Sequence, residues 1–580
     1  MSITQSPDPR VALPGGAPRP ASPAPAALTR RRFLGRLGGG AALMLAAAGP
    51  RPSRGRFTPG LAEGAVVGSV TAEARREHAY EVRHQAALAQ QNRPLPKHPT
   101  NGDEERYASR IGSYAKGLVH NSRGEVEPAA YEALLDALAT GASAAFEAIP
   151  LGGTVGLVNP QAAFAFAMMG SDSHHLGTSA PPAFASAEAA GEMAELYWAA
   201  LTRDVAYVDY GAEPLTRAAL QDLARFSTFR GVEADTLFRG LIPGDATGPY
   251  ISQFLVQPIP FGSQTLGQAY RTADAGDDHL TTYAAWLDSQ NGVPAAVTNR
   301  FDPEPRYISN GRDLGELVHG CQSGCPPTSA AALNASAFDG GFLGGMTATF
   351  ILLGCGPEAL DAGDPYRRLT HQGGFITFGP VHVLDLVTSA IAMALKAAWY
   401  QKWLVHRRLR PEEFAGRVHL HRQGAAAYPI HPTLLNSQAL AAVEEAYGSA
   451  LLPQAYPEGC PAHPAYPSGH ATVAGACVTV LKAFFNESFP IPRPQVASPD
   501  GLALVDYPGT LTVGGELDKL ASNIAMGRVV PGVHWRSDAK EGLKLGDAVA
   551  ISFLRDLTAT YPEDFRGFSL TTFDGTRLTI

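Results

Sequence analysis

Apolar residues at helical spacing run in long stretches through the C-terminal half of this chain, and they restrict its fold more than any other feature. One such stretch, 381–409, is ended by Pro411, since proline cannot continue a helix. Strand signals are few, mainly at 510–513 and 570–580, and Gly and Pro punctuate 204–380. The sequence therefore predicts an all-α protein with long loops and minor strands. The other helices are predicted over 72–91, 129–147, 185–203, 435–447, 469–486, 515–529 and 537–556.

The first 50 residues are expected to lie outside the fold. Residues 7–28 are rich in Pro and Ala, a composition typical of disorder. Thr29-Arg30-Arg31-Arg32-Phe33-Leu34 then precedes an apolar run over 37–48, a pattern typical of a twin-arginine export signal cleaved near 46–49. The run is shorter than the roughly 20 residues that span a bilayer. We therefore expect a periplasmic or secreted protein, free of the membrane after cleavage, with one mainly helical domain over 51–580.

Composition argues against nucleic acid as a partner and restricts where an anion could bind. The net charge of -8 and the pI near 6.1 argue against a nucleic-acid-binding surface, so any anion site must concentrate Arg and Lys locally. There are five cysteines. Cys321 and Cys325 are spaced for a local disulfide and lack a second pair at zinc spacing. Cys477 lies in an apolar stretch and is predicted to be a buried, inert thiol.

A basic segment, Lys402 to Pro411, closes the long helical run. Lys402 and Arg410 are eight residues apart, about two helical turns, so both are expected on one helix face. Arg407 and Arg408 are expected to be solvated. By itself the segment fits an ordinary basic helix end, which the helix dipole favours.

A second segment, His463 to His470, starts a helix. Ser468 is expected to cap it and to offer a hydroxyl, and Gly469 lets backbone N–H groups approach an anion closely. His470 lies on the first turn. By itself a Ser-Gly pair at this position is usually only a cap.

A third segment, Arg528 to Asp538, contains a chain reversal. Pro531 and Gly532 break the helix that carries Arg528, and His534 follows the turn. Ser537 is expected to cap the next helix. Asp538 is expected either to orient His534 or to balance Arg528. A single histidine after a turn is more often structural.

The three segments together describe a site for a tetrahedral oxyanion. They supply three cations, a hydroxyl, a helix N-terminus and two histidines, and Arg and Lys bind such anions as a fork of donors and a point charge. The order Lys…Arg-Pro…Pro-Ser-Gly-His…Arg-x5-His-x3-Asp resembles the superfamily of vanadium-dependent haloperoxidases and type-2 phosphatidic acid phosphatases, whose fold is built of helical bundles.

Several details resemble the brown-algal bromoperoxidase branch and its bacterial members. Seven residues separate Lys402 from Arg410, His463 lies seven before His470, and Trp399 lies three before Lys402. The resemblance extends over nearly the whole mature chain. Supporting stretches lie at 101–104, 116–118, 186–188, 195–198, 203–205, 248–254 and 311–314.

This resemblance implies a vanadate cofactor, vanadium(V), within 395–545. It implies His470 as acid/base, His463 as proton relay or halide-positioning group, and Trp399 as a wall of the halide pocket, although a buried aromatic can equally be plain core. His534 would bind vanadium directly, and Lys402 would polarise peroxide. The remaining implied cofactor contacts are hydrogen bonds from Lys402, Arg410, Ser468, Gly469 and Arg528.

The implied reaction is oxidation of a halide, bromide or iodide first, by hydrogen peroxide to hypohalous acid, which halogenates small organic acceptors. A homo-oligomer is implied as well. Three other functions stay open at this point: an acid phosphatase using His534, a non-catalytic oxyanion-binding protein, and a serine hydrolase using Ser468. The last lacks a G-x-S-x-G elbow around Ser468.

Overall fold

Helices make up most of the regular structure, as the apolar spacing predicts. The computed structural model describes residues 71–295, 300, 304–319 and 340–580. The expected export signal and the expected bridge between Cys321 and Cys325 lie outside these residues. In chain order the described α-helices are α1 (Ala72–Gln91), α2 (Asp103–Arg106), α3 (Pro128–Thr140), α4 (Ser143–Glu147), α5 (Ala187–Leu201), α6 (Pro214–Leu223), α7 (Tyr283–Gln290), α8 (Gly311–Leu317), α9 (Gly340–Gly354), α10 (Pro380–Tyr400), α11 (Pro411–Arg422), α12 (Pro432–Leu435), α13 (Gln438–Tyr447), α14 (Gly469–Phe484), α15 (Val513–Val529) and α16 (Arg536–Thr558).

Helix α14 forms the centre of the core. All of its residues are buried, and it packs against α16, α10, α15 and α9. Cys477, on this helix, is buried as predicted. A Cβ atom on Gly546 of α16 would lie 2.1 Å from the carbonyl oxygen of Thr472, so the two helices approach closely only because glycine is there. Nearer the start of α14, a Cβ atom on Gly542 of α16 would lie 2.7 Å from the carbonyl oxygen of Ser468, so the end of α14 that carries part of the site packs directly on α16.

The predicted helix over 381–409 ends earlier than expected. Helix α10 continues as a π-helical turn, Gln401–His406, and the left-handed backbone of Arg407 (φ 39°) then ends it. Pro411 begins α11 instead of ending the previous helix, because its fixed φ suits the first helical position. The prediction that Lys402 and Arg410 share one helix face was therefore wrong. Pro380–His406 is also long and apolar enough to cross a membrane by composition, but half of its most apolar window is buried in the core.

Strands are short and form three antiparallel hairpins among the described residues. The predicted strand region at 570–580 is confirmed as β5 and β6, in which Leu570 pairs with Leu578. The predicted strand at 510–513 was wrong, because the side chain of Thr512 caps α15 and Val513 is its first residue. The strands are β1 (Ile259–Phe261), β2 (Gln264–Leu266), β3 (Gln495–Ala497), β4 (Leu504–Asp506), β5 (Ser569–Thr571) and β6 (Arg577–Thr579).

Candidate functional site

Lys402 lies on the π-helical turn that follows α10, and its side chain is fully buried. The ammonium group donates hydrogen bonds to the carbonyl oxygens of Pro464 (2.7 Å) and Ala465 (2.8 Å), which leaves one of its three hydrogens for another acceptor. Burial, reinforced by the charge of Arg410, holds the pKa of Lys402 well below its usual value. The turn thus places the Lys402 ammonium in the core, where carbonyl oxygens rather than a carboxylate are its partners.

Arg410 precedes the first residue of α11 and is also fully buried. Its guanidinium donates to the carbonyl oxygens of His463 (2.9 Å) and Val533 (2.7 Å). The same group also donates to Nε2 of His534 at 3.0 Å and to the ring of His463 at 3.0 Å. Arg410 therefore ties together both histidine-bearing segments that the sequence singled out.

Arg528 lies in the last turn of α15 with its side chain buried. One nitrogen donates to the carbonyl oxygen of Val318 at 3.2 Å, and the guanidinium lies 5.5 Å from the ring centroid of Tyr456. Its Nε has no hydrogen-bond partner among the residues that the structure describes. This buried donor remains available to a bound anion.

These three cations share one property that distinguishes the site. Within the described part of the chain, neither Lys402 nor Arg410 nor Arg528 forms an ion pair with a carboxylate; their partners are carbonyl oxygens and imidazoles. Burying charge without a counter-ion is costly. An anion bound among the three side chains would remove that cost.

The N-terminus of α14 lies at the same site. Ser468 is its N-cap, as predicted, and its backbone N–H donates to the carbonyl oxygen of Asp538 at 3.0 Å. A Cβ atom on Gly469 would lie 3.1 Å from the ring of Trp399, so a larger residue would crowd this end of the helix. On the first turn, burial and the charge of Arg528 hold the pKa of His470 well below its usual value. The first N–H groups of a helix have no acceptor within it and attract anions.

His534 follows the turn between α15 and α16, as predicted, and is buried. Its Nδ1 lies 2.8 Å from a carboxylate oxygen of Asp538, and its Nε2 lies 3.0 Å from the guanidinium of Arg410. Because a guanidinium can only donate, Nε2 accepts and Nδ1 carries the hydrogen. Burial and Arg410 also hold the pKa of His534 well below its usual value, so the imidazole is neutral, and its Nε2 carries no hydrogen and accepts from Arg410.

Arg408 and Asp538 differ from their sequence predictions. Arg408 was expected to be solvated, but it is buried, and it donates to Asp538 (2.8 Å) and Glu192 (2.9 Å). Asp538 therefore orients His534, in agreement with one of the two expectations for it. It balances the charge of Arg408 rather than that of Arg528. Asp538 also accepts from the backbone N–H of Trp535 at 3.0 Å, so it caps α16 in place of Ser537.

Arg407 was also expected to be solvated. It is instead largely buried and pairs with the carboxylate of Glu104 through two nitrogens, one at 2.7 Å. Both corrections have one cause: the chain turns inward after His406, so the two arginines face the core and are paired there.

Trp399 and His463 lie beside the cations. Their ring centroids are 4.9 Å apart, and the ammonium nitrogen of Lys402 lies 6.0 Å from the Trp399 ring. Burial and Arg410 lower the pKa of His463 strongly. Direct contacts thus connect Trp399, Lys402, Arg410, His463, Gly469 and His534 or their immediate neighbours, and Arg528 and His470 lie within electrostatic range of them.

Two contributors were missed from the sequence. Glu192 is one of several Glu residues in α5, and nothing in its sequence neighbourhood marks it as the partner of Arg408. Tyr456, next to Arg528, lies in a Pro- and Gly-containing loop with no motif of its own. A buried-charge argument would have indicated only that Arg408, if buried, needs an acid.

Comparison with known proteins decides the family. Over 524 residues the chain is 33% identical to a vanadium-dependent bromoperoxidase of Ascophyllum nodosum, covering 81% of this chain and 91% of that protein. The chain belongs to the vanadium-dependent haloperoxidase family. A vanadium-dependent bromoperoxidase of Corallina officinalis is 33% identical over 576 residues, covering 83% of this chain and 92% of the relative.

The family resemblance extends to the architecture. A family model described as the VCPO second helical-bundle domain matches residues 382–561, from α10 to just beyond α16. A solved homohexameric vanadate-dependent bromoperoxidase from Ascophyllum nodosum has a TM-score of 0.80 and 29% identity, covering 91% of this chain and 94% of that one. The predicted helical-bundle haloperoxidase fold is thus confirmed.

Proposed function

We propose that this haloperoxidase oxidises bromide or iodide with hydrogen peroxide at a vanadate held among Lys402, Arg410, Arg528 and His534. One observation carries the proposal: three buried cations without a carboxylate partner in the described residues lie within electrostatic range of one neutral imidazole, which Arg410 contacts directly. Hypohalous acid is the product, and it halogenates a small organic acceptor.

The residues present fit vanadate. A hard, high-valent metal centre suits nitrogen and oxygen donors, and the site offers imidazole, hydroxyl and N–H groups. Nε2 of His534 would be the direct ligand, because Nδ1 is held by Asp538 and Nε2 carries no hydrogen; its lone pair would exchange the bond from Arg410 for vanadium. Ser468, Gly469, Lys402, Arg410 and Arg528 would donate hydrogen bonds to the oxyanion.

Vanadate, when bound, supplies a Lewis-acidic vanadium(V) that activates hydrogen peroxide without a change of oxidation state. The cations neutralise negative charge in a region that excludes water, where each is worth more than in solvent. Lys402 retains one hydrogen beyond its two carbonyl partners and can donate it to peroxide. Arg410 is held rigid by two carbonyl oxygens and thereby fixes the position of the His534 ring.

His470 and His463 are the groups for proton transfer at this site. Both imidazoles are buried, and their lowered pKa values keep them neutral at neutral pH, so each can pass a proton on but does not retain it. Trp399, which packs beside His463, would form a wall of the halide pocket.

The deciding experiment starts from apo-protein and adds orthovanadate, hydrogen peroxide and each halide in turn. We expect vanadate-dependent turnover with bromide or iodide exceeding chloride. His534→Ala should abolish vanadate retention and activity, whereas Lys402→Ala should lower peroxide turnover more than vanadate binding. His174→Ala, at a half-exposed histidine paired with Asp172, is the matched control and should retain both.

The same samples distinguish the other functions. Rapid phosphate-monoester hydrolysis that vanadate abolishes, without peroxidase activity in its place, would indicate a phosphatase. Vanadate binding without turnover of any halide would indicate a binding protein, and His470→Ala would then leave anion affinity unchanged.

We further propose that the chain is a bacterial protein exported to the periplasm or beyond by the twin-arginine route, and that it is then free of the membrane and binds no nucleic acid. The motif at 29–34 supports the export, and the net charge of -8 argues against a nucleic-acid-binding surface. Replacing Arg30 and Arg31 by Lys should retain the protein in the cytoplasm; unchanged export would contradict the proposal. A homo-oligomer is proposed because the solved relative is homohexameric, and sedimentation of the purified protein tests it.

A further inference from the structure

A buried group of acid and imidazole side chains lies next to the site and has no part in holding the oxyanion. We call it the His319 cluster; its members are Glu316, His319, Tyr456 and Glu458. Glu316 is the penultimate residue of α8, His319 follows that helix, and the other two lie in the loop before α14. The side chains of Glu316, His319 and Tyr456 are all less than 5% exposed.

His319 is held from two sides. Its Nε2 lies 2.6 Å from a carboxylate oxygen of Glu458, and its ring stacks on that of Tyr456 with centroids 3.7 Å apart and planes 3° from parallel. Its Nδ1 has no hydrogen-bond partner within the described residues. The ring is therefore fixed by one nitrogen and one face, while the other nitrogen stays open to exchange a proton.

Glu316 lies three residues before His319 and is unusual for a buried carboxyl. Neither of its oxygens has a hydrogen-bond partner in the parts of the chain that the structure describes. Burial raises the pKa of Glu316 to about 7, although the charges of His319 and Arg312 work against the rise. At neutral pH the carboxyl thus divides between its protonated and ionised forms, as a proton reservoir must.

The cluster touches the site through two contacts. Arg528 donates to the carbonyl oxygen of Val318, the residue immediately before His319, and its guanidinium lies against Tyr456. The charge of His319 also contributes to lowering the pKa of His470, so the two imidazoles lie within electrostatic range of each other. A proton on His319 is therefore close to the reaction without contacting the oxyanion.

Halide oxidation consumes a proton and therefore needs a group that supplies one. Halide, hydrogen peroxide and one proton give hypohalous acid and water: the halide loses two electrons, the O–O bond breaks, and each turnover consumes one proton. The groups in the site are poor stores for that proton, since burial and neighbouring cations lower the pKa values of Lys402, His463 and His470. The proton must therefore be supplied by a group outside the oxyanion site.

We propose that His319 delivers the proton that each halide oxidation consumes. Glu458 and Tyr456 position its ring, and Glu316 protonates it again after each turnover. This inference rests on the proposed function. His319 and Glu316 are positioning and proton-supplying residues, since neither touches the oxyanion. The charged or titratable groups that act on His319 or on the other members of its cluster are Glu316, Arg312, Glu458, Tyr456, Arg528 and His470.

The kinetic test compares pH profiles of the vanadate-loaded full chain. His319→Gln keeps an amide near Glu458, and Glu316→Gln keeps the shape of the carboxyl, but neither can carry the proton. We expect kcat with bromide at pH 7 to fall about tenfold or more in both variants. The loss should shrink toward acid pH, where solvent supplies protons, and orthovanadate affinity should stay unchanged. His382→Gln, at another buried histidine, is the control and should keep the wild-type profile.

A second measurement needs neither vanadate nor turnover. Infrared difference spectra of apo-protein between pH 6 and pH 8 should contain protonated-carboxyl absorption that titrates near pH 7. Buried Glu195 and Glu413 contribute to it as well, so the Glu316 band is the part of the absorption that wild type has and Glu316→Gln lacks. In His319→Gln its midpoint should move upward, because a neighbouring positive charge has been removed.

The outcomes separate the two proposals. Wild-type protein that oxidises no halide overturns the proposed function. An active wild type whose His319→Gln profile is superimposable, or reduced equally at every pH, overturns only the proton-delivery role, as does the absence of a Glu316 band near pH 7.

Discussion

Asp538 accepts a hydrogen bond from Nδ1 of His534 at 2.8 Å, and this contact decides which nitrogen of the imidazole faces the cations. The carboxylate is held in turn by Arg408 at 2.8 Å and by the backbone N–H of Trp535 at 3.0 Å. A carboxylate behind a metal-binding histidine fixes the ring and raises its basicity. The readiness of Nε2 to bind vanadium thus depends on residues that the oxyanion never touches.

Asp538→Asn should weaken orthovanadate binding about 10–100-fold, because the amide is neutral and no longer favours a proton on Nδ1. Equilibrium dialysis of apo-protein against orthovanadate measures this. Asp547→Asn is the matched control, since Asp547 is a buried acid on the same helix that accepts from Thr479. Equal dissociation constants for wild type and Asp538→Asn would show that the contact has no part in cofactor binding.

Arg408→Met should destabilise the fold by about 3–5 kcal/mol, because it leaves Glu192 and Asp538 buried without their shared cation. Urea unfolding of apo-protein measures the loss. Arg422→Met removes an ion pair with Glu444 whose side chains are 43% and 28% exposed, and should cost about 0–1 kcal/mol. Similar losses in the two variants would contradict a structural role for the Arg408 pairs.

The site could be predicted from the sequence because its residues sit at helix boundaries that leave local signals. Ser468 and Gly469 mark the start of α14, and a Pro-Gly turn precedes His534. The partners of Arg408 left no such signal, since Glu192 and Asp538 lie 216 and 130 residues away in sequence.

The end of the long helix could not be predicted for a different reason. A proline after an apolar helical run either terminates that helix or starts the next one, and periodicity does not distinguish the two. Here the left-handed residue Arg407 and the bond from the Arg410 N–H to Glu413 (2.6 Å) place Pro411 at a helix start. Lys402 and Arg410 consequently converge from two elements rather than from one face.

His406 should make the apo-protein less stable as the pH falls. Burial, with smaller contributions from His98 and Arg407, lowers the pKa of His406 from 6.5 to about 3. Below pH 6.5 the unfolded chain therefore binds a proton at His406 that the folded protein does not bind. Between the unfolded and folded pKa values, the free energy of unfolding falls by about 1.4 kcal/mol per pH unit.

Urea unfolding at pH 7 and pH 5 tests this against His406→Gln, which can keep the contact with Thr178. Wild type should lose about 2 kcal/mol more than the variant over that interval. Glu195 and Glu413, whose pKa values burial raises to about 7, act in the opposite direction, but they do so in both proteins and cancel in the comparison. Parallel losses would show that His406 is not the group responsible.

Trp399 offers a way to separate halide binding from cofactor binding. Its ring lies 4.9 Å from that of His463 and 6.0 Å from the ammonium of Lys402, yet it makes no hydrogen bond to either, since its Nε1 donates to the carbonyl oxygen of Val158. Replacing it by Leu removes an aromatic wall worth about 1 kcal/mol. The KM for bromide should rise about fivefold while orthovanadate affinity is preserved, as steady-state kinetics and dialysis would show. Trp286→Leu, at a buried tryptophan that packs on Arg417, should leave the bromide KM unchanged. If Trp399→Leu lowers vanadate affinity and does not change the KM for bromide, the ring supports the three buried cations and does not line the halide pocket.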